Sequence, residues 1–426
     1  MSKFQETPRS IAASMLYGVI GEGKLLSELT VSKSFLALSP PDRARSQRLA
    51  LETLRGLERA DRLLSNFIQK KPPLKVQNIL RLSVVEICSD GQAHGVVNEA
   101  VNLVGREKKL NQFKGLVNAV LRKVAQKGPH QWANLRASRM PKWLRVPLSN
   151  AYGNLTVSEI EKVQFKSPPV DLTLKHPEHA NNVAKNLGGQ VILGQSVRLA
   201  NAGQISKLTG FQTGDWWIQD TAAAIPIRPL KDLRGKTALD LCAAPGGKTL
   251  QLSAAGAQVN AIDISRRRLK FLEENLNRTG LVAHFDTVDA FEITSQQYDV
   301  VVLDAPCSAT GTIRRHPDLP YAKDGTEFGR LIDMQERLLK HALTFLAPEG
   351  RLVYCTCSLL PDEGEAQIET VLKQNNEYEV DPEMFSFEYV QKDWFTENIG
   401  LRLRPDYLSS EGGMDGFFAS VLRRKV

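Results

Sequence analysis

From Leu230 onward, strand and helix signals alternate, and that alternation restricts the second half of the chain to an α/β sheet. Apolar runs bounded by turn residues lie near 237–241, 258–263, 284–288, 298–304 and 350–357, with helix-period segments between them. In an open sheet of this kind, ligands bind at the carboxyl ends of the strands. Three of those ends carry chemistry. Leu241 runs into Cys242-Ala243-Ala244-Pro245-Gly246-Gly247-Lys248, Leu303 into Asp304-Ala-Pro-Cys307, and Tyr354 into Cys355-Thr-Cys357-Ser358. A glycine turn and two thiols facing one crevice point to covalent chemistry on a substrate held beside a cofactor.

The glycine turn excludes two familiar nucleotide sites. A Walker A loop needs glycine where Cys242 stands, and the Gly-x-Gly-x-x-Gly fingerprint is absent. What remains is a strand, a tight turn and a helix start, in which Gly246 and Gly247 let backbone N–H groups approach a ligand. Asp263 ends the next strand, where a carboxylate suits a ribose diol. Asp289, after the third strand, suits an adenine amino group; the alternative for either aspartate is a helix cap. S-adenosylmethionine satisfies the turn, the diol acceptor and the adenine site together. No metal site is expected.

The chain has 426 residues, enough for two or three domains. Charge divides unevenly along it. Residues 1–150 carry 25 Lys and Arg against 11 Asp and Glu, although the whole chain has a net charge of only +8. Such an excess in one part points to a polyanion, RNA or DNA; the alternative is a solvated basic surface. Five cysteines, at 88, 242, 307, 355 and 357, are too few and too uneven for a disulfide framework. The opening Met1-Ser-Lys-Phe-Gln-Glu6 has no apolar run suited to export, and no stretch is long enough to span a membrane. A cytoplasmic chain with reduced thiols is expected.

Residues 7 to about 127 read as a bundle of short helices, with apolar residues three and four apart at Arg9–Ile20, Ser46–Phe67, Val76–Cys88, Gly95–Arg106 and Phe113–Val124. Trp132 to about Val170 reads as a connecting segment with a short helix near Leu155–Val163. Then come strands at Val170–Leu174, Gln190–Leu193 and Trp216–Gln219 and a helix at Glu178–Leu187, a small α+β unit. Met414–Leu422 reads as a closing antiparallel strand. The expected division is 1–130 for the bundle, 131–229 for linker and small unit, and 230–426 for a Rossmann-like domain.

Arg9-Ser-Ile-Ala-Ala-Ser-Met-Leu-Tyr17, Val97-Asn-Glu-Ala-Val101 and Gly115-Leu-Val-Asn-Ala-Val-Leu-Arg-Lys123 resemble the NusB-type RNA-binding bundle. That likeness implies binding of structured RNA by basic helix faces, with Arg9, Lys114, Arg122 and Lys123 as candidates. Asp304-Ala-Pro-Cys307-Ser-Ala-Thr-Gly-Thr-Ile-Arg-Arg-His-Pro-Asp318, Thr356-Cys357-Ser358 and Leu239-Asp-Leu-Cys-Ala-Ala-Pro-Gly-Gly-Lys-Thr249 resemble the RNA cytosine-5 methyltransferase signatures. With the NusB-like front end, the chain is similar to the Fmu/Sun-type methyltransferases of bacterial small-subunit (16S) ribosomal RNA. The likeness implies a Rossmann-like domain that binds S-adenosylmethionine through residues 242–248, Asp263, Asp289 and Asp304. It implies a small unit related to RNA-recognition folds. It makes Cys357 the nucleophile on carbon 6 of cytosine and Cys307 the thiol that assists product release, with Asp304 also contacting the base. DNA cytosine-5 methyltransferases use the Pro-Cys thiol instead, which leaves the inverted assignment open. Arg314, Arg315 and His316 follow that loop as candidates for substrate phosphates, against an ordinary surface loop. A transfer-RNA cytosine-5 methyltransferase is the alternative within the class, and a non-catalytic RNA-binding or antitermination factor the alternative outside it. Cys88 and Cys355 read as buried structural thiols, and Cys242 as a residue that shapes its turn.

Overall fold

The computed structural model describes residues 6–89, 91–294, 296–381, 389–396 and 399–425. The opening Met1–Gln5, part of the stretch read above for export, lies outside the described residues. Two compact units emerge: residues 1–167 with 313–325, and residues 168–312 with 326–426.

The first unit is helical: α1 (Pro8–Glu22), α2 (Pro40–Ser65), α3 (Leu74–Cys88), α4 (Ala93–Arg106), α5 (Lys114–Asn134) and α6 (Lys142–Gln164). Local chemistry sets the starts. Thr7 caps α1 by accepting from the Ser10 amide, Ser39 caps α2 through Asp42, and Pro8 and Pro40 occupy first-turn positions. The helical period buries Ile11, Met15, Leu16 and Val19 against Leu49, Leu54 and Leu57, and a second core gathers Leu63, Leu80, Val97, Val117 and Leu121. The expected short helix near Leu155–Val163 is the second half of α6, which breaks at Gly153 (φ 79°). Pro147 and Gly153 are the breakers that disguised its first half as linker. Arg9 is not free for RNA. Its guanidinium pairs with Glu86 at 2.6 Å and also with Glu99, so it ties α1 to α3 and α4.

Segment 313–325 completes this unit. Asp318 Oδ2 accepts from the Leu26 amide at 2.8 Å, Arg55 donates to the Arg314 carbonyl at 2.9 Å, and Trp143 Nε1 donates to the Pro320 carbonyl at 3.1 Å. Arg314 is fully buried, which removes it from any phosphate-binding surface.

The second unit holds two sheets. The smaller comprises β1 (Val170–Leu174), β2 (Gln190–Ile192), β3 (Ser196–Leu199) and β4 (Trp216–Ile218), antiparallel in the order β2-β3-β1-β4, with α7 (Ala180–Leu187) against it. Strand β3 escaped the sequence reading because all four of its residues are buried, Arg198 included. Arg198 stays ionic there through a bidentate pair with Asp171 of β1, both bonds at 2.7 Å.

The larger sheet contains β5 (Thr237–Leu241), β6 (Gln258–Ile262), β7 (His284–Asp286), β8 (Tyr298–Asp304), β9 (Leu346–Thr356), β10 (Tyr378–Val380), β11 (Phe395–Thr396), β12 (Gly400–Leu403) and β13 (Phe417–Arg424). Its order is β11-β12-β13-β9-β8-β5-β6-β7, with β10 also on β13. Strands β5 to β9 run parallel, and β13 closes antiparallel on β9, as the Met414–Leu422 pattern predicts. Helices α8 (Gly247–Ala254), α9 (Arg266–Thr279), α10 (Phe328–Leu343) and α11 (Glu365–Gln374) connect the strands. The chain winds outward from β5 to β7 and then returns to β8, so the switch point lies between β5 and β8. This is the multidomain arrangement expected: a helical NusB-like bundle, a small α+β sheet and a Rossmann-like domain. Among the described residues no helix is long and apolar enough to cross a membrane.

Asp171 and Arg198 form a fully buried pair, so removing one partner strands the other. Asp171→Ala is expected to destabilise the second unit by about 3–5 kcal/mol, measured as a loss of denaturation midpoint in urea.

Candidate active site

Every residue of the expected site lies at the carboxyl edge of the parallel strands. At the end of β5, Cys242 takes φ +60° and Gly246 φ +108°, which turns the chain sharply into α8. The Cys242 thiol is pushed up to about 12 by burial and by surrounding aspartates, consistent with a turn-shaping residue that stays protonated. Ala243 and Ala244 are buried, Pro245 is exposed, and the Ala243 amide donates to the Ile262 carbonyl at 2.9 Å.

Asp263 follows β6 and is 4% exposed. Its two oxygens accept from the amides of Ala244 (3.1 Å) and Ser265 (2.8 Å), so the carboxylate is rigid and tied to the glycine turn. It is not the cap of α9; Ser265 is. Asp289 is exposed beyond β7 and caps a short turn by accepting from the Phe291 amide at 3.0 Å. Beside Asp263, Ile264 is 74% exposed. An apolar side chain left open next to a buried carboxylate suits a flat heterocycle; the sequence pattern of the strand stops at Asp263 and gives Ile264 no role. A fixed acceptor, a second aspartate and an apolar platform fit a nucleoside cofactor.

Asp304 ends β8 and joins this turn to the thiols. Its Oδ2 accepts from Lys248 Nζ at 2.8 Å, and its Oδ1 lies 3.7 Å from Cys355 Sγ. Burial pulls the Lys248 ammonium down, but Asp304, Cys355 and Asp240 more than offset that, so its net direction is up. Burial pushes Asp240, beneath the turn, up to about 7; its Oδ2 takes the Thr249 hydroxyl at 2.5 Å.

Cys307 and Cys357 meet with sulfurs 3.5 Å apart and no disulfide between them. Backbone bonds hold the two loops together: the Ala305 amide to the Cys355 carbonyl and the Gly311 amide to the Cys357 carbonyl, both 2.9 Å. Cys307 is held well above the usual thiol range by its hydrogen bond to Cys357, by burial and by the charge of Glu363. Cys355 is fully buried on the same strand face as Cys357, and burial raises its thiol too. Cys88 packs in the helical core, where burial pushes it up to about 11. The structure thus brings Lys248, Asp304, Cys307, Cys355 and Cys357 together and sets Asp263 with Ile264 beside the glycine turn, while Asp289 sits further out along the strand ends.

A doubly wound sheet with this turn and these strand-end carboxylates defines the class of nucleoside-cofactor methyltransferases. A family model described as 16S rRNA methyltransferase RsmB/F matches residues 228–423, and one described as the NusB family matches residues 6–126. The ribosomal RNA small subunit methyltransferase B of Pasteurella multocida (strain Pm70) is 31% identical over 98% of this chain and 96% of its own. Its namesake from Photorhabdus laumondii subsp. laumondii is 30% identical over 98% of both chains. A solved structure described as PH0851 superposes with a TM-score of 0.73 at 20% identity, covering 99% of this chain and 100% of its own. A methyltransferase homolog from Pyrococcus horikoshii, 26% identical, gives 0.54 over 66% of this chain and 94% of its own. The chain belongs to the 16S rRNA methyltransferase RsmB/F family, and it is an RNA methyltransferase that uses S-adenosylmethionine.

Asp263→Ala removes the rigid acceptor beside the turn. S-adenosylmethionine affinity is expected to fall by about 1.5–3 kcal/mol, the cost of a charge-assisted hydrogen bond. Unchanged affinity by titration calorimetry would take Asp263 out of the site.

Proposed function

We propose that the chain methylates carbon 5 of a cytosine in small-subunit (16S) ribosomal RNA through a covalent bond between Cys357 and the base. The observation that carries this is the thiol pair, 3.5 Å apart beside the Lys248–Asp304 ion pair. When bound, S-adenosylmethionine supplies an electrophilic methyl group. The residues 242–248, Asp263 and Asp289 bind and orient it, and Ile264 offers its ring an apolar surface.

Carbon 5 of cytosine is a poor nucleophile. Cys357 as thiolate adds to carbon 6, and the displaced ring electrons make carbon 5 reactive. Carbon 5 takes the methyl group, whose bonding electrons stay with the cofactor's sulfur. The carbon 5 proton then leaves to a base, and the sulfur–carbon 6 bond breaks to restore the ring. Cys307 stands within reach of that adduct and assists release. Asp304 keeps 35% of its side chain exposed while Lys248 fixes its other side, which suits an acceptor for the cytosine amino group. A paired base cannot enter such a crevice, so the target is flipped or single-stranded.

Residues 1–130 and 131–229 would hold the surrounding RNA while 230–426 does the chemistry, in the cytoplasm where thiols stay reduced. Lys114, Arg122 and Lys123 of α5 are exposed, as is Lys127. The relatives' names favour a ribosomal over a transfer-RNA target.

The two thiols should fail differently. Cys357→Ala forms no adduct; Cys307→Ala attacks and methylates but cannot let go, and accumulates an RNA-linked species on denaturing gels. An adduct in Cys357→Ala alone would reverse the assignment. For the basic face, changing Arg122, Lys123 and Lys127 together to Gln should weaken RNA binding and flatten its salt dependence, because fewer counterions are released. An unchanged salt slope would leave this face as solvated surface.

A further inference from the structure

Behind the two thiols lies a carboxylate that no substrate contact explains. Glu363 is fully buried. Its Oε1 accepts from the Ser308 amide at 2.9 Å and from Gln335 Nε2 at 3.0 Å. Its Oε2 accepts from the hydroxyls of Ser308 and Ser358, both at 2.5 Å. Ser308 directly follows Cys307, and Ser358 directly follows Cys357. Gln335, on α10, also donates to the Pro306 carbonyl at 2.8 Å. The Glu363 carbonyl in turn accepts from Tyr354 Oη (3.0 Å) and Thr356 Oγ1 (3.1 Å), so β9 fixes the residue that fixes the loops. A buried carboxylate is costly unless its lone pairs are filled, and here four neutral donors fill them.

We propose that Glu363 is a positioning residue for methyl transfer: one carboxylate spans both thiol loops, sets the sulfur–sulfur separation, and makes the thiols unequal by lying against the peptide after Cys307. The proposal rests on the reading of Cys357 and Cys307 as the reacting thiols. Around Cys307 stand Cys357 and Tyr354 from β9 and its end, and Glu363 beyond them; Asp304, at the end of β8, is already paired with Lys248. The Glu363 charge acts on Cys307 in the same direction as burial, against ionisation. It adds to the hydrogen bond with Cys357 and to burial, the larger causes, in holding Cys307 as a thiol.

The test uses the full-length chain. Glu363→Gln is expected to lower kcat about 10- to 100-fold, the scale of a small misplacement of reacting groups, with S-adenosylmethionine affinity within about twofold of the parent. In a Cys357→Ala background, the pH midpoint for iodoacetamide labelling of Cys307 should move down in Glu363→Gln and return towards the parent in Glu363→Asp, which keeps the charge. Unchanged turnover and labelling in Glu363→Gln would overturn the proposal. So would turnover and cofactor binding lost together, the mark of a merely structural residue. If Glu363→Gln does not fold, Ser358→Ala decides: it removes one donor, and parental turnover would likewise overturn the idea. Turnover surviving in Cys357→Ala would instead sink the thiol assignment itself, a different failure from that of Glu363.

Discussion

The crevice depends on the parallel pairing of β8 with β9. Leu303 lies opposite Tyr354 and Asp304 opposite Cys355, so both strands reach their carboxyl ends together. Side chains alternate along a strand, and a slip of one residue would turn Cys355 and Cys357 away from the crevice and bring Tyr354 and Thr356 round instead. Several bonds resist that slip. Strand β13 braces β9 from its other side, Phe418 opposite Thr356, and the Gly416 amide reaches the Gly311 carbonyl at 2.8 Å. The approach is so close that a Cβ on Gly311 would sit 2.0 Å from the Gly416 carbonyl oxygen. Glycine at 311 is a steric requirement of bringing the Cys307 loop against Cys357.

Within that frame, one ion pair links the cofactor turn to the thiols. Lys248 belongs to the turn and Asp304 to the thiol side, and their burial is unequal, 6% against 35% side-chain exposure. A buried ammonium without a partner would lose its charge; with Asp304 beside it the charge is retained. Lys248 is thus the anchor, and Asp304 is the member with a face left for a ligand. The glycine turn and the strand end that leads into Cys307 are held in fixed relation by this ion pair.

Three of the strand ends were legible because their apolar runs stop at turns that carry Gly, Pro or Cys, and a parallel sheet brings such ends to one edge. What stayed hidden was polar and distant in sequence. Buried Arg198 and Arg402 broke the apolar pattern of β3 and β12; each is satisfied by a carboxylate, Asp171 or Glu365, that no local rule could nominate. Glu363 lies in Leu-Pro-Asp-Glu-Gly, which reads as an exposed turn, and its partners Ser308 and Gln335 come from far upstream. Arg9 looked like an RNA ligand for the same reason: Glu86 and Glu99, which neutralise it, are many residues away.

The stretch Asp304–Asp318 reads as one catalytic signature but serves two folding units. Through Thr312 it belongs with the parallel sheet; from Ile313 it belongs with the helices. Its charged residues change meaning at that point. Asp304 keeps an exposed face, whereas Arg314 is wholly interior and Asp318, 3% exposed, is spent on the Leu26 amide. A guanidinium inside a protein cannot neutralise a phosphate outside it, whereas Arg122, Lys123 and Lys127 on α5 remain exposed. One run of sequence can therefore look uniform while its residues serve two different folding units.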